Sequence, residues 1–98
     1  MQIKLHRSCR DIIAVCDTEL LGKYFEQGNF QLDVKESFFQ GDEVDAKTLI
    51  KQLQFFKKED ATFNIIGEKS VECALKAGII NSESLGKIAG IPFGLILL

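Results

Sequence analysis

The fold is decided by residues 61–79, which read ATFNIIGEKSVECALKAGI. The first six of these residues have the length of a strand and include Phe63, Ile65 and Ile66, and we expect them to form a buried strand. Gly67 then opens a helix that reaches about Ala77. Three side chains are expected on its inner face: Val71, Ala74 and Leu75. Gly78 suits the left-handed position that ends a helix, and Ile79 can pack back on the last turn as in a Schellman cap.

A second helix is predicted over residues 45–56, where apolar side chains recur at spacings of three and four. These side chains share one face of the helix: Ala46, Leu49, Ile50, Leu53 and Phe56. Asp45 is a good N-cap, and Val44 before it can form a hydrophobic staple with Leu49.

The remaining segments predict strands in hairpins, with residues 3–5 pairing with 12–16, 23–26 with 30–34, and 85–89 with 93–98 around Gly90-Ile91-Pro92. Residues 36–43 indicate a connecting loop that Phe38, Phe39 or both would anchor. The predicted fold is α/β in the α+β arrangement, with a mixed, mainly antiparallel sheet of about five or six strands and two main helices. It forms a single domain over residues 1–98.

Composition excludes several classes of protein. Apolar residues make up 46% of the 98 residues, which is enough for one core. No segment approaches the roughly 20 apolar residues of a membrane helix, and the alternating N-terminus indicates a strand rather than a secretion signal. Three cysteines without a CxxC pair favour free thiols over a zinc site or a disulfide framework. We therefore expect a cytoplasmic protein with no membrane contact.

The charge is unevenly distributed. Because the formal net charge is -2, the whole molecule is not attracted to nucleic acid, and any such binding requires a local patch. Residues 17–45 contain Lys23, Lys35 and a larger set of acids: Asp17, Glu19, Glu26, Asp33, Glu36, Asp42, Glu43 and Asp45. The spacing of these acids does not indicate catalytic carboxylates or a magnesium site, and turns and helix starts explain them better.

The strand-to-helix turn at residues 64–69 is the most site-like feature. Its candidate binding residues are Asn64, Gly67, Glu68 and Lys69. A glycine at a helix start leaves backbone N–H groups unpaired beside the positive end of the dipole, which suits an anion such as RNA phosphate. Glu68 could instead satisfy that dipole itself and would repel a phosphate. The spacing matches neither G-x-G-x-x-G nor a P-loop, so a structural cap and a ligand or RNA-backbone site both remain open.

A basic ridge is predicted on the helix over residues 45–56, opposite Leu49 and Leu53. At about 100° per residue, its members fall within about 60° of one another: Lys47, Lys51, Gln54 and Lys58. Phosphate contacts from such a ridge would be independent of sequence and sensitive to salt. An amphipathic helix also exposes charged residues for solvation alone, which is the alternative interpretation.

Catalytic chemistry finds little support in the sequence. His6 is the single histidine, so a His-dependent reaction would have to pair it with Cys9 or Cys16. Cys16 ends an apolar strand and is expected to be an inert core thiol, and no Cys/His signature surrounds these residues. We expect no catalytic residue, no metal site and no cofactor.

Residues 93–98 are strongly apolar and must be covered. An inner position in the sheet would cover them. The alternative is an edge strand that pairs with a second copy or with another protein.

Three segments together resemble a known family: AVCD at residues 14–17 with ELLGK at 19–23, NIIGE at 64–68, and GIP at 90–92. They are similar to the archaeal family called domain of unknown function 424, over almost the whole chain. The resemblance implies an archaeal cytoplasmic protein and, by association, a role near the translation machinery. It implies no reaction, cofactor or catalytic residue. It also implies a histidine where Phe93 stands, so a site that depends on this histidine would be altered.

The leading hypothesis is a non-enzymatic binding module, an accessory of RNA or a ribonucleoprotein. Its phosphate contacts would come from Lys47, Lys51, Lys58 and the helix start at Gly67. The alternative is a protein-interaction subunit that docks through the C-terminal strand or the Phe38-Phe39 loop. A small enzyme, with a pocket joining His6, Cys9 and acids of residues 17–45, is the third hypothesis.

Overall fold

The computed structural model of the protein describes residues 1–96. The strands are β1 (Gln2–His6), β2 (Ile12–Cys16), β3 (Tyr24–Gln27), β4 (Phe30–Asp33), β5 (Asp42–Glu43), β6 (Thr62–Ile66), β7 (Gly86–Ile88) and β8 (Ile91–Ile96). The helices are α1 (Glu36–Phe39), α2 (Ala46–Lys58) and α3 (Glu68–Ala77), with short 3₁₀ turns at Thr18–Leu20 and Ser82–Ser84.

Six strands form one sheet in the order β5-β1-β2-β6-β8-β7, while β3 and β4 form a separate hairpin. Only β2 and β6 run parallel to each other, and the other described pairs are antiparallel. The predicted α+β fold with a mixed, mainly antiparallel sheet and two main helices is therefore confirmed.

The parallel pair β2 and β6 positions the candidate site. Their register joins Ile12 to Thr62 and Cys16 to Ile66, so both strands end at the same edge of the sheet. A parallel pair needs a crossover, and α2 lies within the connection. Asp17, which follows β2, and Gly67, which follows β6, are thereby brought together although 50 residues separate them.

The sheet has a hydrophobic core on each face. One core contains the inner residues of α2 and α3 with alternate residues of the central strands, including Leu49, Leu53, Phe63 and Ile65. The other lies under the β3–β4 hairpin and α1, and includes Leu32, Val34, Phe39 and Ile66. The sheet is thus a middle layer between two helices on one side and a hairpin on the other.

Local signals at both main helices are confirmed. The Asp45 side chain caps α2 by accepting a hydrogen bond from the Thr48 backbone N–H at 2.8 Å. Gly78 ends α3 in the left-handed conformation, and the Ile79 N–H donates to the Ala74 carbonyl at 3.2 Å. This is the predicted Schellman arrangement.

Two local predictions are wrong. Leu75 is 37% exposed, and Cys73 is buried in its place beside Val71 and Ala74, because α3 packs against α2 as well as the sheet. Residues 36–43 contain α1 and β5 in place of a plain loop. A side chain at Gly41 would strike the Ile3 backbone, and this close approach lets β5 pair with β1.

The C-terminal hairpin is tighter than predicted. Ile88 pairs with Ile91, so the turn is Ala89-Gly90, and Pro92 lies inside β8. β8 lies between β6 and β7, but β7 reaches only as far as Phe93, so the expected inner position holds for Phe93, while residues 94–96 pair with β6 alone among the described strands. The last two residues of the predicted strand, 97–98, lie outside the described part of the chain.

Candidate functional site

The strand-to-helix turn at Gly67 is built from three separate segments of the chain. After β2, the Asp17 backbone N–H donates to the Ile66 carbonyl at 3.1 Å. After β6, the Gly67 N–H donates to the Pro92 carbonyl at 2.9 Å. The ends of β2 and β6 and the start of β8 therefore meet at one point, and each contributes one of the sequence segments singled out above.

The Asp17 carboxylate occupies the N-terminus of α3. Its oxygens accept hydrogen bonds from the Lys69 N–H at 3.1 Å, the Ser70 N–H at 2.8 Å and the Ser70 hydroxyl at 2.7 Å. Asp17 is only 4% exposed, and Ser70 is fully buried. A negative side chain at this position satisfies orphan backbone donors and complements the positive end of the helix dipole.

Gly67 is required at this turn for two reasons. Its φ of 112° with ψ of 154° lies in a region that L side chains rarely adopt. A Cβ on Gly67 would also lie 2.4 Å from Cγ of Asp17. The glycine therefore makes room for the buried carboxylate, and the two residues form one structural unit.

Pro92 is compatible with the same unit, because the Gly67 carbonyl does not need the backbone N–H that proline lacks. The β6–β8 register places Gly67 opposite Pro92, where an ordinary antiparallel pair could exchange two hydrogen bonds. The Gly67 carbonyl instead accepts the first hydrogen bond of α3, from the Val71 N–H at 2.9 Å. Proline can therefore occupy an inner strand here without leaving that carbonyl unsatisfied.

The structure separates the four residues predicted for this turn. Strand alternation places Asn64 on the hairpin side of the sheet, opposite to α3, because its neighbours Phe63 and Ile65 face the helix core. Glu68 and Lys69 are exposed, and Gly67 is buried. The open backbone amides that a phosphate would require are occupied by Asp17, so the structural interpretation is favoured, with Asp17 rather than Glu68 as the cap.

The basic ridge on α2 is presented to solvent. Lys47, Lys51 and Lys58 are all exposed, and none of them forms an ion pair within residues 1–96. On the opposite side of α2, Leu49 and Leu53 are fully buried and pack the helix against the core. The three ammonium groups therefore extend from a rigid helix rather than from a loop.

Phe55 is a further surface residue that the sequence interpretation missed. It is 56% exposed, and the helical period places it about 100° from Phe56, the nearest residue of the apolar face. Phe55 lies one turn after Lys51 and one turn before Lys58 along α2. An aromatic side chain between spaced lysines is the sequence signal that could have identified it.

The structure places the three residues of the enzyme hypothesis in different settings. Cys16 is fully buried, and burial raises the pKa of its thiol to about 12. The His6 ring stacks on Phe38 with centroids 4.4 Å apart, and Nε2 lies 2.8 Å from the Phe38 carbonyl oxygen. Since a carbonyl oxygen only accepts hydrogen bonds, Nε2 carries the proton. Cys9 is exposed.

A small cleft of about 140 Å³ lies between α3 and the start of α2. Its lining residues are Met1, Ala46, Lys69, Glu72, Cys73 and Lys76. The Cys73 thiol is buried there, and burial raises its pKa. Within the described residues, no three metal-binding side chains lie close enough together to hold a metal ion.

Phe93 stands where the resemblance implies a histidine, and its ring has a packing role. Its ring covers Gly86 across the β7–β8 pair, where a side chain on the glycine would strike the ring. Phe93 also packs on the hairpin-side core with Ile66. No helix in the described part of the chain is long and apolar enough to cross a membrane.

Comparison with known proteins gives a family and a fold. A family model described as Protein of unknown function (DUF424) matches residues 6–97. No curated protein matches the chain. A crystal structure of an uncharacterized conserved protein from Methanopyrus kandleri is similar, with a TM-score of 0.87 and 21% sequence identity over 97% of this chain and 88% of that one. At this identity the likeness shows the shared fold.

Proposed function

Because the chain belongs to the family described as Protein of unknown function (DUF424), its activity has to be argued from its own surface, and we propose that it is a non-enzymatic module that binds RNA or a ribonucleoprotein. The contact surface is the basic ridge of α2, formed by Lys47, Lys51 and Lys58. The resemblance associates the family with translation, so ribosomal RNA in the cytoplasm is the first RNA to test.

The observation that carries the proposal is that three lysines without ion-pair partners in residues 1–96 lie along one stripe of α2. With a rise of about 1.5 Å per residue, Lys51 lies about 6 Å along the axis from Lys47, and Lys58 about 10 Å further. This spacing allows successive phosphates of one strand to be contacted by separate ammonium groups. Each such contact releases a condensed counterion, which drives association in dilute salt.

The charge distribution supports a local rather than a long-range attraction. Of the acids at residues 17–45, all but Asp17 are exposed, and most lie on the elements that cover the hairpin side of the sheet. The lysine ridge belongs to the helix on the opposite side. The net charge of -2 therefore does not prevent a polyanion from binding at α2.

The helix start at Gly67 does not enter this proposal. Its amides already bind the Asp17 carboxylate, which would also repel a phosphate. Lys69 beside it is exposed but lies on α3, away from the stripe of the ridge.

The test is binding of ribosomal RNA fragments to the wild-type protein and to the double variant Lys47→Gln with Lys51→Gln. The wild type should lose affinity steeply as salt rises, and the variant should bind more weakly with a slope of log K against log salt that is smaller by roughly 0.7 to 0.9 for each lost contact.

The matched control is Lys23→Gln with Lys87→Gln, which removes the same charge from exposed positions off the ridge. This control should bind as the wild type does. Equal weakening by both double variants would assign the effect to net charge, and an absence of RNA binding even at low salt would refute the proposal.

A second candidate function, docking of a protein or a second copy at β8, is favoured by one observation. β7 pairs with β8 only as far as Phe93, so no described strand pairs with residues 94–96 on that side. Leu95 in this segment is 54% exposed. Light scattering at rising protein concentration should show a dimer that Leu95→Lys abolishes; a wild type that stays monomeric would exclude self-association.

The Phe38-Phe39 part of this alternative has less support. Phe39 is 4% exposed and belongs to the hairpin-side core, while Phe38 is half-buried against His6 and Phe39. These rings anchor α1 to the sheet and present little free apolar surface to a partner.

A further inference from the structure

The exposed ring of Phe55 changes what the basic ridge can recognise. Most apolar side chains of α2 turn inward, whereas Phe55 leaves more than half of its surface in water. On the helical wheel it lies about 40° beyond Lys51, on the side away from Lys58. The three residues therefore form one continuous surface, with an aromatic face bordering two ammonium groups.

The Phe55 ring is held in place by its neighbour. Phe55 and Phe56 are arranged edge to face, with centroids 5.3 Å apart and an interplanar angle of 78°. Phe56 is half-buried and packs on the helix-side core. A ring supported in this way loses little further freedom when a planar group stacks on it, which favours binding.

We infer that the α2 surface selects single-stranded RNA, with a base stacked on Phe55 and the adjacent phosphates bound by Lys51 and Lys58. This inference rests on the proposed function and specifies its ligand. In a duplex the bases stack on one another and expose only their edges, so Phe55 could not reach a base face and only phosphate contacts would remain. In a single strand every base offers a face, so stacking is tolerant of sequence.

The charge of the surface favours this occupant over a protein. Two lysines that form no ion pair within residues 1–96 border the ring, so uncompensated positive charge lies directly beside an aromatic face. A polyanion with planar groups complements both parts of the surface at once.

The experiment compares a labelled oligouridylate with an RNA duplex of the same length at one salt concentration, by fluorescence anisotropy. The wild type should bind the single strand roughly tenfold more tightly, since a stacked base contributes on this order. Phe55→Ala should lose about that factor on the single strand, with unchanged duplex affinity and an unchanged salt slope.

Two further variants separate stacking from simple apolar contact. Phe55→Leu keeps an apolar side chain without a ring and should lose as much affinity as Phe55→Ala, whereas Phe55→Trp should bind at least as well as the wild type. Lys51→Gln with Lys58→Gln should weaken binding to both RNAs and lower both salt slopes.

The outcomes distinguish this inference from the proposed function. If single strand and duplex bind equally, or if Phe55→Leu binds like the wild type, selection by stacking is overturned while the RNA proposal stands. If neither RNA binds the wild type at low salt, both are overturned, and the surface would remain as a protein-docking site.

Discussion

The first turn of each main helix is capped by an aspartate, but the two aspartates come from different parts of the chain. For α2, the Asp45 side chain bonds to the Thr48 N–H three residues later, on the protein surface. For α3, the cap is Asp17, which comes from the end of β2 and bonds to amides more than 50 residues later in a buried site. One cap is local and exposed, and the other is remote and enclosed.

The difference shows what each cap stabilises. Asp45 stabilises the first turn of its own helix, and water can replace it at an exposed start. Asp17 joins the ends of β2 and β6 to α3, and buried donors left without it would have no water to bind. The same residue type is thus a local N-cap signal at Asp45 and a tertiary contact at Asp17.

The comparison also bears on function. A helix start binds phosphate only when its N–H groups are open, and a carboxylate occupies the first turn of both α2 and α3. Anion binding is therefore expected on the flank of α2, where Lys47, Lys51 and Lys58 are unpaired within the described residues. The proposed RNA contact is therefore on the side of α2 and not at the N-terminus of either helix.

The largest effect is expected from Asp17→Ala, which leaves the Lys69 and Ser70 donors without an acceptor. Removing a buried hydrogen-bonded charge should lower the free energy of unfolding by roughly 3–5 kcal/mol. In a domain of this size the melting temperature should fall by roughly 12 °C or more. Urea unfolding followed by circular dichroism measures the free energy of unfolding and its dependence on urea concentration, and thermal unfolding gives the melting temperature.

The matched control for this prediction is Glu19→Ala, which removes an exposed acid two residues later and should change stability little. Asp17→Asn should fall between the two, because its amide oxygen can still accept from the Ser70 N–H and hydroxyl, whereas its NH₂ cannot accept from the Lys69 N–H. An Asp17→Ala protein as stable as the control would show that the remote cap does not link the three segments.

A smaller effect is expected from Gly67→Ala, compared with Gly78→Ala at the other end of α3. Both glycines have positive φ, but a Cβ at Gly78 would meet open space, whereas a Cβ at Gly67 would meet Asp17. Gly78→Ala should therefore cost about 1 kcal/mol from backbone strain alone, and Gly67→Ala roughly 2–3 kcal/mol.

A double-mutant cycle sharpens this comparison. In an Asp17→Ala background the collision at Gly67 disappears, so Gly67→Ala should cost less than it does in the wild type, with only the strain of its φ of 112° remaining. Additive effects of the two substitutions would mean that Gly67 and Asp17 are not coupled, contrary to the distance of 2.4 Å between the added Cβ and Cγ of Asp17.

The signals that predicted the fold were local ones. The N-cap at Asp45 and the left-handed Gly78 lie within a few residues of what they control, so the sequence displays them directly. Alternation predicted the strands, and the hairpin pairing of β1 with β2 and of β3 with β4 followed from chain proximity. The family and the fold class were also predictable, because both are indicated by sequence segments of several residues and not by single tertiary contacts.

The contacts that were missed are those set by tertiary packing. The link from Asp17 to α3 depends on the parallel pairing of β2 with β6, which no local pattern specifies. Periodicity predicts that Leu75 lies on the inner face, because it is only about 40° beyond Val71 on the helical wheel. The angle at which α2 packs on α3 decided that Cys73 would be covered and Leu75 exposed.

The smallest effect concerns the exposed cap and its dependence on pH. The hydrogen bond from the Thr48 backbone N–H lowers the pKa of the Asp45 carboxyl below its ordinary value of about 3.9. A lowered pKa in the folded state stabilises the fold above the unfolded pKa, and this stabilisation is lost as the pH falls through the folded pKa. The difference in urea midpoint between the wild type and Asp45→Ala should therefore be present at pH 7 and shrink below about pH 4.

Asp45→Asn is the matched control, because it keeps an acceptor for Thr48 but cannot ionise. Its difference from Asp45→Ala should change little with pH. Glu43, whose pKa is also lowered because its carboxylate accepts hydrogen bonds, titrates in every variant, so its contribution cancels from these differences. If the gap between wild type and Asp45→Ala stayed constant down to pH 3, the surface cap would not depend on its charge. The contrast with Asp17 would then rest on burial and on the number of hydrogen bonds alone.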